Sequence, residues 1–90
     1  MEVNIMTIYF DKNSTNWSNY SRLNELFLCH QADCIRDLVK YRGYVYLNQI
    51  YELLGIVWDP KCNNPCIEDP YFTVVIGLDD KNDRWIIDIF

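Results

Sequence analysis

The chain has 90 residues, half of them hydrophobic and 16% aromatic, with only three glycines and three prolines. That length predicts one domain over residues 1–90, and that composition excludes a disordered or low-complexity chain. Thirteen acids against eight bases leave a net charge of −5, which disfavours direct binding to nucleic acid.

The charge is uneven. Through Trp58, six acids face five bases; from Asp59 onward, seven face three. The acidic C-terminal third suits a basic partner surface, although a modest negative charge also serves solubility alone. No apolar run is long enough to span a membrane, so no membrane partner is expected. MEVNIMTIYF has an acid at position 2 and no basic n-region, so it does not read as a signal peptide. The expected location is the cytoplasm.

In chain order, VNIMTIYF (3–10) is rich in β-branched and aromatic residues and predicts a strand. DKNSTNWSNYS (11–21) predicts a loop, with Ser18 or Ser21 as a candidate helix cap. Residues 22–42 predict the main helix. Leu23, Phe27, Cys34, Leu38 and Tyr41 fall in one narrow sector at about 100° per residue, flanked by Leu26 and His30. Leu28, Ala32, Ile35 and Val39 lie further round. Arg22, Glu25, Asp33, Arg36, Asp37 and Lys40 make the opposite, solvated face. So broad an apolar arc predicts a central helix covered on two sides.

Gly43 follows Arg42 where a left-handed residue would close that helix. YVY is an extended connector. Leu47, Ile50, Tyr51 and Leu54 then repeat at helical spacing, predicting a second helix over 46–54 closed by Gly55. IVW (56–58) predicts a brief strand, and DPKCNNPCIEDP a loop punctuated by three prolines. YFTVVIGL (71–78) and RWIIDIF (84–90) flank DDKND and predict an antiparallel hairpin. The sum is an α+β domain: two helices packed on a small, mostly antiparallel β-sheet, in the order β-α-α-(β)-β-β.

The four cysteines are Cys29, Cys34, Cys62 and Cys66, and the single histidine is His30. His30, Cys34, Cys62 and Cys66 together hold the donors of a Cys3His zinc site. The C-x3-C spacing of Cys62 and Cys66 is atypical for zinc, and His30 and Cys34 sit on the predicted core arc, so the expectation is no metal and no cofactor. A catalytic Cys-His pair would have to use His30 with Cys29, which points elsewhere on the helix, or with Cys34, which shares a core-facing arc where substrate has no access. The acid pairs Glu68-Asp69 and Asp79-Asp80 lie in loops, where solvation explains them. No phosphate-binding or hydrolase motif is present, and the chain is not expected to be an enzyme.

The segment RGYVYLNQIYELLG, from Arg42 to Gly55, resembles a pattern found in small phage and prophage proteins of gut Firmicutes. Those carry a helix, Arg-Gly, a short aromatic stretch, Leu-Asn, a β-branched residue, Tyr, an acid and Leu-Gly. Here Arg42, Gly43, Leu47, Asn48, Ile50, Tyr51, Glu52, Leu54 and Gly55 match. RWIIDIF is loosely similar to the acidic strand that closes those proteins, whereas the CNNPC loop has no counterpart. The resemblance implies an origin in a mobile element and the cytoplasm of a bacterial host. It implies no particular chemistry.

Size, charge and resemblance together suggest a non-catalytic interaction protein acting on a host protein or nucleoprotein complex. Its sharpest form is an anti-CRISPR-like inhibitor of host defence. Glu68, Asp69, Asp79, Asp80 and Asp83 would form an acidic patch that occupies a basic groove, with Trp17, Trp58 and Tyr71 as aromatic anchors. The alternative is a homo-oligomeric virion structural or assembly component: a ring or large oligomer would favour it, whereas a monomer or a homodimer favours the inhibitor. A winged-helix DNA binder is opposed by the acidic hairpin turn, which would meet phosphates.

Overall fold

The computed structural model describes residues 6–61 and 63–90. Its elements are β1 (Met6–Phe10), α1 (Ser21–Arg42), β2 (Val45–Tyr46), α2 (Leu47–Leu54), β3 (Cys66–Ile67), β4 (Val74–Asp79), a single 3-10 turn (Asp80–Asn82) and β5 (Arg84–Ile89). The fold is α+β, as its order of elements in the sequence implied. Of the predicted first strand, residues 3–5 lie outside the described residues.

β1, β5 and β4 form one antiparallel sheet with β5 in the centre, and β2 and β3 form a second, two-stranded ribbon. Strand alternation sets the inner face of the larger sheet: Met6, Ile8 and Phe10 from β1, then Trp85, Ile87 and Ile89 from β5. Register places Ile8 opposite Ile87 and Phe10 opposite Trp85, so the buried rows coincide across the ladder. α1 lays Leu28, Ala32, Ile35 and Val39 on this face, and Val45, Ile50, Leu54 and Ile67 close one side of the core. Fully burying an aliphatic side chain contributes about 1.5–3 kcal/mol, which makes this layer the dominant favourable term.

The expectation that α1 is central and covered on two sides does not hold. Its fully buried stripe is the second apolar group with Asn24; of the first group Phe27 and Leu38 pack partly against the core, while Leu23, Leu26, His30 and Tyr41 face outward. Length explains this. A 22-residue helix runs about 33 Å and the eight-residue α2 only about 12 Å, too short to cover a second side.

Neither serine caps α1. Its N-cap is Tyr20, without a side-chain cap. Instead Asn24, buried in the first turns, reaches back to the backbone of Ser18: Nδ2 donates to the Ser18 carbonyl and Oδ1 accepts its N–H, both at 2.8 Å. The predicted strand at 56–58 is irregular backbone; the extra pairing is made by Cys66–Ile67 against Val45–Tyr46. β4 begins at Val74 rather than residue 71. Asp69 Oδ1 accepts the Tyr71 N–H at 2.8 Å, a turn that occupies the residues before it.

The Arg42–Gly55 segment is the joint between α1 and α2. Gly43 closes α1 with φ 92° and donates its N–H to the Val39 carbonyl. Arg42 spans the turn, donating through Nε to the Tyr44 carbonyl and through Nη2 to Gln49 Oε1 at 2.7 Å. Gln49 Oε1 also accepts the Tyr46 N–H at the start of α2. Gly55 closes α2 with φ 72°, and its carbonyl accepts the Thr15 N–H. The buried Ser14 hydroxyl donates to the Leu54 carbonyl beside it.

Candidate functional site

The residues expected to meet a partner are divided by the fold. Asp79, Asp80 and Asp83 sit at the β4–β5 turn, and Glu68, Asp69 and Tyr71 precede β4 at the opposite end of the hairpin. Strand rise alone separates the two groups by roughly 17 Å along β4. The acids therefore form two tips on one hairpin.

At the turn, Asp80 and Asp83 are exposed, and Asp83 takes a left-handed backbone with φ 50°. Asp79 is tied down: Asn82 Nδ2 donates to its Oδ2 at 2.9 Å and Arg84 Nε at 3.1 Å. The Asn82 hydrogen bond, followed by the Arg84 bond and charge, holds its carboxyl below the ordinary value of 3.8, against an opposing pull from partial burial. Arg84 also stacks on Tyr9, 4.1 Å from the ring centre. So Asp79 fixes the turn, and Asp80 and Asp83 are the acids presented. At the other tip, Glu68, Asp69 and Tyr71 are all exposed, Tyr71 at 89%.

The other two aromatic anchors are partly committed to the interior. Trp17 packs against Phe10 with ring centres 5.6 Å apart, and Trp58 stands edge-on to Tyr51 at 5.2 Å. Both remain half-buried. Part of the outward apolar surface lies on α1, where Tyr41 is 81% exposed and Leu23 and Leu26 about half exposed; Val57 and Tyr20 are outward elsewhere. Cys34, Leu38, Tyr41 and Leu53 line an open groove of about 300 Å³ between the two helices. Periodicity pointed at this stripe and assigned it to the core.

Among the described residues, the zinc set does not assemble. His30 and Cys34 are neighbours on α1, with Sγ 3.8 Å from Nε2, but Cys66 lies on β3 and Cys62 falls outside the described residues. Among the described residues, no three metal-ligating side chains come together. His30 is exposed and Cys34 half-buried, so the expectation that substrate has no access to them fails with the predicted core arc. Their setting is nonetheless poor for acyl transfer. They sit mid-helix, where each backbone N–H already bonds the carbonyl four residues back and is not offered to an oxyanion.

Taken as a whole, the molecule is a small α+β scaffold that displays two acidic tips and one apolar helix stripe. Comparison of the chain with protein-family models, curated proteins and solved structures yields no match. Among the described residues, no helix is long and apolar enough to cross a membrane.

Proposed function

We propose that the chain is a small phage-encoded, non-catalytic interaction protein that inhibits a host defence complex, in the manner of an anti-CRISPR, by occupying a basic surface. The observation that carries this reading is the pair of exposed acidic tips at the two ends of the β4–β5 hairpin. Asp80 and Asp83 stand at one end and Glu68 and Asp69 at the other, with Tyr71 exposed beside the latter pair. Two anionic points flanking a strand pair suit a groove whose cations are spaced to hold a nucleic-acid backbone. The site of action on this reading is the cytoplasm of the bacterial host.

The test is affinity capture from host extract with the intact protein, followed by addition of competing nucleic acid. Recovery of a nucleic-acid-handling complex that is released by nucleic acid and by salt is the expected result. Capture that neither nucleic acid nor salt disturbs would remove the mimicry. The alternative, a homo-oligomeric virion component, is favoured by a different observation: the outward stripe of Leu23, Leu26 and Tyr41, which nothing in the chain covers among the described residues. A large ring or shell in light scattering would select it.

A further inference from the structure

We infer that the open edge of β4 pairs antiparallel with β4 of a second copy, making a two-fold dimer with one continuous six-stranded sheet. β4 lies at the edge of the sheet, bonded to β5 on one side only. The phase of that ladder follows from Thr73 and Phe90, which exchange both backbone bonds at 2.9–3.0 Å. In an antiparallel ladder such pairs alternate, so Val75 and Gly77 also bond to β5, while the N–H and C=O groups of Val74, Ile76 and Leu78 point to the open side. Among the described residues no backbone hydrogen bond meets them there.

An open edge of this kind is usually guarded by lysine, proline, a bulge or an inward-pointing charge. Val74–Leu78 has none of these; the first charge is Asp79, already paired with Arg84. The edge is also self-complementary. A two-fold axis through Ile76 sets Ile76 opposite its own copy and Val74 opposite Leu78, so all six outward groups on each strand find partners.

The helix layer matches the same axis. Cys29, Ala32, Asp33 and Arg36 of α1 line an open groove of about 350 Å³ with Val74 and Ile76. The two-fold lays this flank antiparallel to its copy, with Asp33 of each molecule towards Arg36 of the other. Those two residues now pair only within one exposed helix turn, at 3.2 Å. Acid facing base in both directions selects a second copy of this chain over an unrelated strand. The pairing also sets the loop before β4 of one molecule beside the β4–β5 turn of the other, so the divided acids become neighbours across the interface, a like-charge repulsion that opposes the dimer and that salt screens. The dimer stands on the edge geometry and does not depend on what the acids bind.

Sedimentation velocity over a hundredfold range of concentration tests this, together with three variants. Ile76→Pro removes an outward N–H and no bond to β5, and Leu78→Lys places a charge at the seam; each should raise the dimer dissociation constant at least about tenfold. Ile76→Cys should cross-link to itself under mild oxidation, because a hydrogen-bonded strand pair holds the two Cα atoms about 5.5 Å apart, within disulfide range. Leu78→Cys, two positions off the axis, should cross-link no more than the unmodified chain. Circular dichroism confirms that each variant folds. A monomer at every concentration, a dimer indifferent to Ile76→Pro and Leu78→Lys, or equal cross-linking at 76 and 78 would overturn the inference.

Discussion

Gly43 and Gly55 both close a helix at positive φ, yet they differ in what surrounds them. A Cβ on Gly43 would meet open space, whereas one on Gly55 would collide with Thr15 Oγ1 and Asn16 Nδ2. Gly43→Ala is expected to cost about 1 kcal/mol from backbone strain, and Gly55→Ala about 1–2 kcal/mol, because the exposed Thr15 and Asn16 side chains must also shift. Urea denaturation of the two variants checks the difference, and equal losses would contradict it. Asp79 gives a pH signature. Its carboxyl is more acidic when folded, so the ion contributes stability above the ordinary value of 3.8, and that contribution is lost as pH falls through the lowered folded value. The acid limb of the stability curve should therefore flatten in Asp79→Asn, measured by thermal melts across that window. Trp85 is a cost the core carries: its Nε1 is buried and has no hydrogen-bond partner among the described residues.

At the scale of elements, α1 separates what periodicity can tell from what it cannot. The 3.6-residue spacing located the helix to within one residue of its observed start, and the glycine stops located both helix ends. It could not choose between two apolar stripes, because that choice depends on how much of α1 its neighbours are long enough to cover. Leu28→Ala is accordingly expected to cost about 2–4 kcal/mol, and Leu23→Ala less than about 0.5 kcal/mol. Chemical denaturation distinguishes them, and the reverse order would mean that α1 is seated on its other stripe. β3 was invisible for a related reason. Two residues have no period, and Cys66–Ile67 becomes a strand only because Val45–Tyr46 presents a ladder to it. The Asn24 clamp was likewise beyond a local cap rule, since it acts from inside the helix on a loop residue six positions earlier.

For the whole molecule, sequence proximity suggested one acidic patch, while the hairpin places its members at opposite ends of β4. The residues were visible as charges; their separation required knowing that DDKND is the turn and that the other acids precede the strand. The Arg42–Gly55 segment looked like a motif and acts as a joint: Arg42, Gly43 and Gly55 shape the backbone, while Ile50 and Leu54 fill the core. Function on this account lies outside that segment, on the tips the scaffold holds apart. The most direct measurement compares the affinity of the intact protein for its captured host complex with that of a combined Glu68→Gln, Asp69→Asn, Asp80→Asn and Asp83→Asn variant. These four side chains are exposed, and Asp69→Asn keeps the Oδ1 that accepts the Tyr71 N–H, so the variant keeps the fold and should bind at least about tenfold more weakly, with a shallower dependence on salt. Unchanged affinity with all four charges removed would contradict the account.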